Sequence, residues 1–146
     1  MYKAEARLQV SAQEFYQYLV DQILTDINRK RRNLEQKDER LDGYEYSRKI
    51  SYSTNKTVDL QIHVGPLVEN RYFELSYQTP DAMSRYFYDI SQQSDCILVR
   101  YVEDGSLVKA SDQTVHKITS KLKKRLVEKN IESRLHEIEH SIIMKR

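Results

Sequence analysis

His136, Glu137 and His140, within "LHEIEHSIIMKR", make a literal H-E-x-x-H. On a helix this spacing sets two imidazoles one turn apart for a zinc ion, with the glutamate placed to activate a metal-bound water. A working centre of that kind also needs a third protein ligand and an open coordination position. Six residues follow His140, which leaves the usual downstream ligand almost no chain to sit on, and Glu139 adds a charge inside the motif. His116 is no substitute, because the stretch of helix from His116 to His136 spans about 30 Å. The expectation is a solvated helical face with no metal and no cofactor. Adventitious zinc binding by His136 and His140 is the alternative.

Other residues able to do chemistry lie on alternating segments. Tyr44, Tyr46, Tyr52, Tyr77, Tyr86 and Tyr88 all fall on the apolar register of their strands. Buried phenol hydroxyls require partners, so these rings either line an amphipathic cavity or lie half exposed at the sheet margins. Arg48 shares the apolar side with Tyr46 and Ile50. A guanidinium there must meet an acidic side chain, meet an anionic ligand, or extend its stem to the rim. Arg100 points outward if Ile97, Val99 and Tyr101 face in. His63, Asp59 and Glu74 read as outer-face residues forming surface pairs rather than an acid/base system. Three glycines in separate turns cannot build a phosphate loop.

The elements that must position these groups follow from the pattern. "YKAEARLQV" (2–10) alternates as a strand with one wet face. Ser11 and Glu14 then form a capping box, and Val10 and Phe15 a hydrophobic staple. Phe15, Leu19, Ile23 and Ile27 recur every fourth residue as the stripe of a helix. Its end is basic, from Arg29 to Arg32, a solvated helix end rather than a nucleic-acid patch. "YEYSRKISY", "TVDLQIHV", "RYFELSYQ", "RYFYDIS" and "CILVRYV" supply further strands, separated by turn chemistry at "STNK", "GPLVEN" and "TPDAM" and closed by "EDGS". Short connections make them an antiparallel meander.

From about Ser111 or Asp112 the chain reads as one long helix with two stripes on nearly opposite sides. Val115, Ile118, Leu122 and Leu126 form the first, and Val127, Ile131, Leu135, Ile138 and Ile142 the second. The helix therefore bends near Asn130, or its second half meets another surface, such as a second subunit or the N-terminal helix. Lys121, Lys123, Lys124 and Arg125 flank Leu122 and Leu126. They read as a charge-coated helix back, with contact to phosphates or anionic lipid as the alternative.

Composition bounds the class. The 146 residues are enough for one sizeable core and too few for two ordinary domains, so 1–146 reads as a single domain. A net charge of +2 from 24 basic and 22 acidic side chains announces no nucleic-acid partner. Cys96 is the only cysteine and can form no internal disulfide. No secretory leader is visible and no run approaches the about 18 apolar residues of a membrane span. A cytoplasmic protein is expected.

An antiparallel sheet with one wet face must cover the other, and the long C-terminal helix is the element able to do so. The fold class is thus α+β, a helix-grip: N-terminal strand and helix, a curved antiparallel sheet of six to seven strands, and a long C-terminal helix packed across it. That order resembles the START-like superfamily, which includes the birch-pollen allergen and polyketide cyclases. "LQVSAQEFYQYLVDQIL", "LDGYEYSRKI" and "KLKKRL" look like a family of small bacterial proteins of unknown function. The terminal helix departs from that family in being more charged. The resemblance implies a pocket between sheet and helix and an association with sugar-uptake systems, and it supplies no catalytic residues.

The functional expectation is a ligand-binding or accessory module, more a binder than an enzyme. Tyr46, Arg48, Tyr77 and Tyr88 would border a cavity for an amphipathic small molecule, anionic or sugar-related. The alternative is an interaction module in which Ile131, Leu135, Ile138 and Ile142 form a partner or homodimer surface.

Overall fold

The computed structural model describes residues 1–29, 41–52, 56–107 and 119–146. Lys30, Arg31 and Arg32, the turn residues 53–55, the side chain of Tyr52, the expected helix start at Ser111 or Asp112, and Val115, His116 and Ile118 lie outside the described residues. The chain runs β1 (Tyr2–Leu8), α1 (Ala12–Asn28), β2 (Glu45–Tyr52), β3 (Lys56–Val68), β4 (Tyr72–Gln78), β5 (Ala82–Gln92), β6 (Ile97–Leu107) and α2 (Thr119–Met144).

Alternation in β1 buries Ala6 and Leu8 and leaves Glu5 and Arg7 exposed. The capping box that starts α1 is complete: Ser11 Oγ accepts from the Glu14 N–H at 3.1 Å, and Glu14 Oε1 accepts from the Ser11 N–H at 3.0 Å. Val10 and Phe15, the two ends of the staple, are both buried. Phe15, Leu19, Ile23 and Ile27 then turn one face of α1 onto the sheet. Phe15 meets Tyr88 of β5 edge-on at 5.8 Å, and Tyr16 meets Phe73 of β4 at 6.2 Å. Each fully buried Leu, Ile or Phe of this face stabilises the fold by about 1.5–3 kcal/mol before the entropy of ordering is subtracted.

The strands form one six-stranded antiparallel sheet in the order β1-β6-β5-β4-β3-β2. β1 and β2 are its two edges, so the chain between them, α1 included, passes from one edge to the other. β1 is placed by pairing with β6, Leu8 opposite Ile97 and Tyr2 opposite Glu103. With α1 and α2 on its inner face, the sheet makes the expected helix-grip, α+β architecture.

Three local readings are corrected. "GPLVEN" is not a turn: Gly65 to Val68 belong to β3, and the register slips between Val64 and Leu67. Gly65, at φ 105°, absorbs the irregularity, and a Cβ there would run into the Asp42 carboxylate. The true turn is Glu69 to Arg71, with Asn70 left-handed at φ 62°. "EDGS" does not end β6, because β5 is long enough to pair it, Gly105 standing opposite Ser84. Cys96 precedes β6 rather than lying within it, and its thiol donates to Gln93 Oε1 at 3.4 Å.

The helix α2 runs through Asn130 without interruption, and its two stripes have different fates. Leu122 and Leu126 are each 63% exposed, whereas Ile131 and Leu135 retain 2% and 1%. Ile142 is also buried and Ile138 half buried. These four residues are therefore not a free partner surface: they pack into the chain's own core, where α2 lies chiefly along β1 and also meets α1. Polar ties hold α2 and the residues after it to β1 and the start of α1. Glu128 accepts from the Lys3 N–H at 2.7 Å, Glu139 accepts from the Gln9 N–H, and Arg146 forks onto Glu14 at 2.9 and 3.1 Å. Left open, the edge strand β1 and its exit would expose the Lys3 and Gln9 N–H groups, and α2 satisfies both. No helix among the described residues is long and apolar enough to cross a membrane.

Candidate ligand cavity

Between α1, α2 and the inner sheet face lies a cavity of about 430 Å³. Its floor comes from alternate residues of three neighbouring strands: Phe73, Leu75 and Tyr77 of β4, Tyr86 and Tyr88 of β5, and Tyr101 of β6. Pairing sets their contacts. Tyr88 stands directly opposite Tyr101, with ring centroids 5.0 Å apart, and opposite Phe73 on its other side. Tyr77 and Tyr86 are diagonal neighbours, joined hydroxyl to hydroxyl at 2.7 Å. One wall is α1, through Tyr18, Gln22 and Asp26, and the other is α2, through Ile131, Arg134 and Ile138.

Burial is the main force on the phenols. It pushes Tyr88 up to about 12 and raises Tyr86, Tyr101 and Tyr77 as well. These hydroxyls stay protonated at neutral pH and remain donors. The Arg134 guanidinium works against the rise at both Tyr88 and Tyr101, so its charge reaches the two rings.

Of the expected site residues, Arg48, Tyr77 and Tyr88 line the cavity together. Tyr46 does not line it. Its hydroxyl donates to Asp26 Oδ2, and burial followed by that bond raises its pKa. Arg48 takes the acid-paired option, Nη1 donating to Asp26 Oδ1 at 3.0 Å, while its side chain stays 41% exposed. Its Nε is buried and has no hydrogen-bond partner among the described residues.

Tyr101, Asp26, Tyr18 and Arg134 escape the sequence reading. Tyr101 follows once Ile97 and Val99 are known to face inward, as they do. Asp26 lies three residues after Ile23 and seven after Leu19, and Arg134 three after Ile131, so each shares the stripe of its helix.

The remaining candidates sit elsewhere. His136 Nδ1 is 3.3 Å from Glu139 Oε1, and both His136 and His140 are exposed. Among the described residues no three His, Cys, Asp or Glu side chains gather as a metal set. His63 pairs with Glu45 at 3.0 Å on the outer face, and Arg100 pairs with Glu5 at 2.9 Å. Asp59 stands opposite Lys49. Glu74 does face outward, but it is only 7% exposed. The Tyr72 hydroxyl donates to it, Arg85 lies 3.9 Å away, and Phe87, its cross-strand neighbour, stacks on Tyr72. That outer-face cluster shields a carboxylate expected to be wet. Lys121, Lys123, Lys124 and Arg125 are exposed.

The fold recurs in solved structures. TTHA0849 from Thermus thermophilus superposes with a TM-score of 0.61 at 12% identity, covering 99% of this chain and 97% of its own. Ara h 8.0201 gives 0.59 at 7% identity, over 98% and 97%. Mll3558 from Rhizobium loti gives 0.55 at 18% identity, over 87% and 94%. No curated protein matches the chain. Residues 2–126 match the family described as "Domain of unknown function (DUF3284)".

Proposed function

The chain belongs to the DUF3284 family, and from its own cavity we propose that it is a binding or accessory module for a small amphipathic molecule rather than an enzyme. The observation that carries this reading is the cavity of about 430 Å³ walled by α1, α2 and the tyrosine-rich sheet face. Small-molecule sites are commonly concave spaces of about 300–1,000 Å³ with apolar walls and a few convergent polar groups. Here the rings offer flat apolar walls, and their protonated hydroxyls offer hydrogen bonds to ligand oxygens, whether those of a hydroxylated compound or of an anion.

Asp26 is not free to act as a general base here. Its carboxylate already accepts from Tyr46 and Arg48, which withdraws it from proton transfer.

Binding is tested with the neutral fluorophore N-phenylnaphthylamine. Its emission is expected to rise with the native protein and to fall back in an Ile138→Trp variant, which fills the space beside α2 while circular dichroism stays native. No rise, together with no thermal shift from hydroxylated or anionic ring compounds, rejects the reading.

A further inference from the structure

The cavity gathers hydrogen-bond donors that the other described residues leave unused. Among the described residues neither the Tyr88 nor the Tyr101 hydroxyl has a hydrogen-bond partner, although both rings line the space. Arg134 lines it too, its charge reaches both phenols, and among the described residues it has no hydrogen bond and no ion pair. The contrast with Arg48 is direct, since that guanidinium is held by Asp26 at 3.0 Å. A cation and two hydroxyls around one cavity of mixed polar and apolar lining are complementary to a single acceptor-rich group.

The charge around this corner sets the valence of that group. Glu137 lines the cavity one turn along α2 from Arg134, and Glu103 of β6 lies near enough to raise Tyr77, Tyr88 and Tyr101. Asp26 is balanced by Arg48. Two carboxylates against one cation already leave this corner net negative, so an anion is held there only by direct charge-assisted bonds from Arg134 and the two hydroxyls. One guanidinium can answer one ligand charge in this way, and each further charge adds repulsion.

Resting on the binding reading above, we propose that the ligand is a ring-bearing monocarboxylate. Its carboxylate sits between Arg134 and the hydroxyls of Tyr88 and Tyr101, and its apolar body lies on Phe73 and the Tyr77–Tyr86 pair. Arg134 is then a specificity residue. Its exposure at the α2 side of the mouth lets it be changed without opening the core.

The test uses displacement of N-phenylnaphthylamine from the full chain by naphthoate, by its neutral isostere naphthamide, and by naphthyl phosphate. Naphthoate is expected to compete at about tenfold lower concentration than naphthamide, the size of effect a charge-assisted hydrogen bond gives. Naphthyl phosphate is expected to be weaker than naphthoate. Arg134→Gln should erase the acid-over-amide preference and Arg134→Lys should keep part of it. Fluorophore binding with acid and amide competing equally, an unchanged preference in Arg134→Gln, or phosphate outcompeting carboxylate would each overturn the monocarboxylate assignment and leave the cavity reading standing. If neither the fluorophore nor naphthoate binds, naphthoate being followed by calorimetry, the cavity reading fails with it.

Discussion

Tyr46 on β2 donates its hydroxyl to Asp26 on α1, tying an edge strand to the helix that crosses the sheet. The same carboxylate takes Arg48 Nη1 on its other oxygen, so one acidic side chain answers two donors that sequence periodicity puts on the inner face. Asp26 is more shielded than Arg48, with side-chain exposures of 20% and 41%. Removing the acceptor therefore strands two buried or half-buried donors, whereas removing Arg48 strands none. Asp26→Ala is expected to destabilise by about 1–3 kcal/mol and Arg48→Ala by less than about 1 kcal/mol. Urea unfolding of both variants and the double mutant checks the order, and equal losses would show that the cation rather than the phenol dominates.

The two stripes of α2 give a second expectation. Ile131 and Leu135 are in the core, so Ile131→Ala and Leu135→Ala should each lose about 2–5 kcal/mol, the transfer energy plus the cavity left behind. Leu122→Ala and Leu126→Ala, at exposed positions, should stay within about 0.5 kcal/mol. Denaturant midpoints measure both. A large loss at Leu122 or Leu126, or a negligible one at Leu135, would reverse the assignment of the stripes.

Part of this arrangement is legible in the sequence because it is local. The cap of α1 needs only Ser11 and Glu14 three positions apart, and the inward register of Tyr86 and Tyr88 needs only a period of two. What local pattern misses is carried by distant partners. Pairing of β1 with β6 brings Glu5 to Arg100 across most of the chain, and no short-range spacing encodes that. Asp26 and Arg134 stay hidden because a single charge on an apolar stripe looks like a stripe's edge until the opposing element is known. Glu74 misleads for the complementary reason. Its alternation correctly points outward, but the Tyr72–Phe87 stack that covers it is a cross-strand feature.

The H-E-x-x-H segment separates its two glutamates. Glu139 accepts from the backbone N–H of Gln9 and lies beside His136, so its carboxylate anchors α2 to the end of β1. Glu137 lines the cavity, and among the described residues it makes no such bond. Glu139→Ala is expected to destabilise by about 1 kcal/mol and Glu137→Ala by less than about 0.5 kcal/mol. Thermal melts with and without added zinc check this. A melting temperature that rises in zinc for the native chain and not for His136→Ala would instead assign the segment to a metal.

The acid limb of stability should depend on Glu14. The Arg146 guanidinium, the Ser11 N–H and the Ser11 hydroxyl hold its carboxyl down from 4.5 to about 2 against the opposing effect of desolvation. A depressed folded-state pKa means that the unfolded chain binds the proton more tightly. The contribution is therefore fully present above about pH 4.5 and is lost as pH falls toward about 2. Since Arg146 closes α2 onto the cap of α1, protonation of Glu14 weakens the cap and the clasp together. Melting temperatures across this window should fall less steeply for Glu14→Gln than for the native chain, with Arg146→Gln intermediate because the Ser11 bonds persist. Parallel curves for all three proteins would place the acid sensitivity in other carboxylates and remove Glu14 from the account.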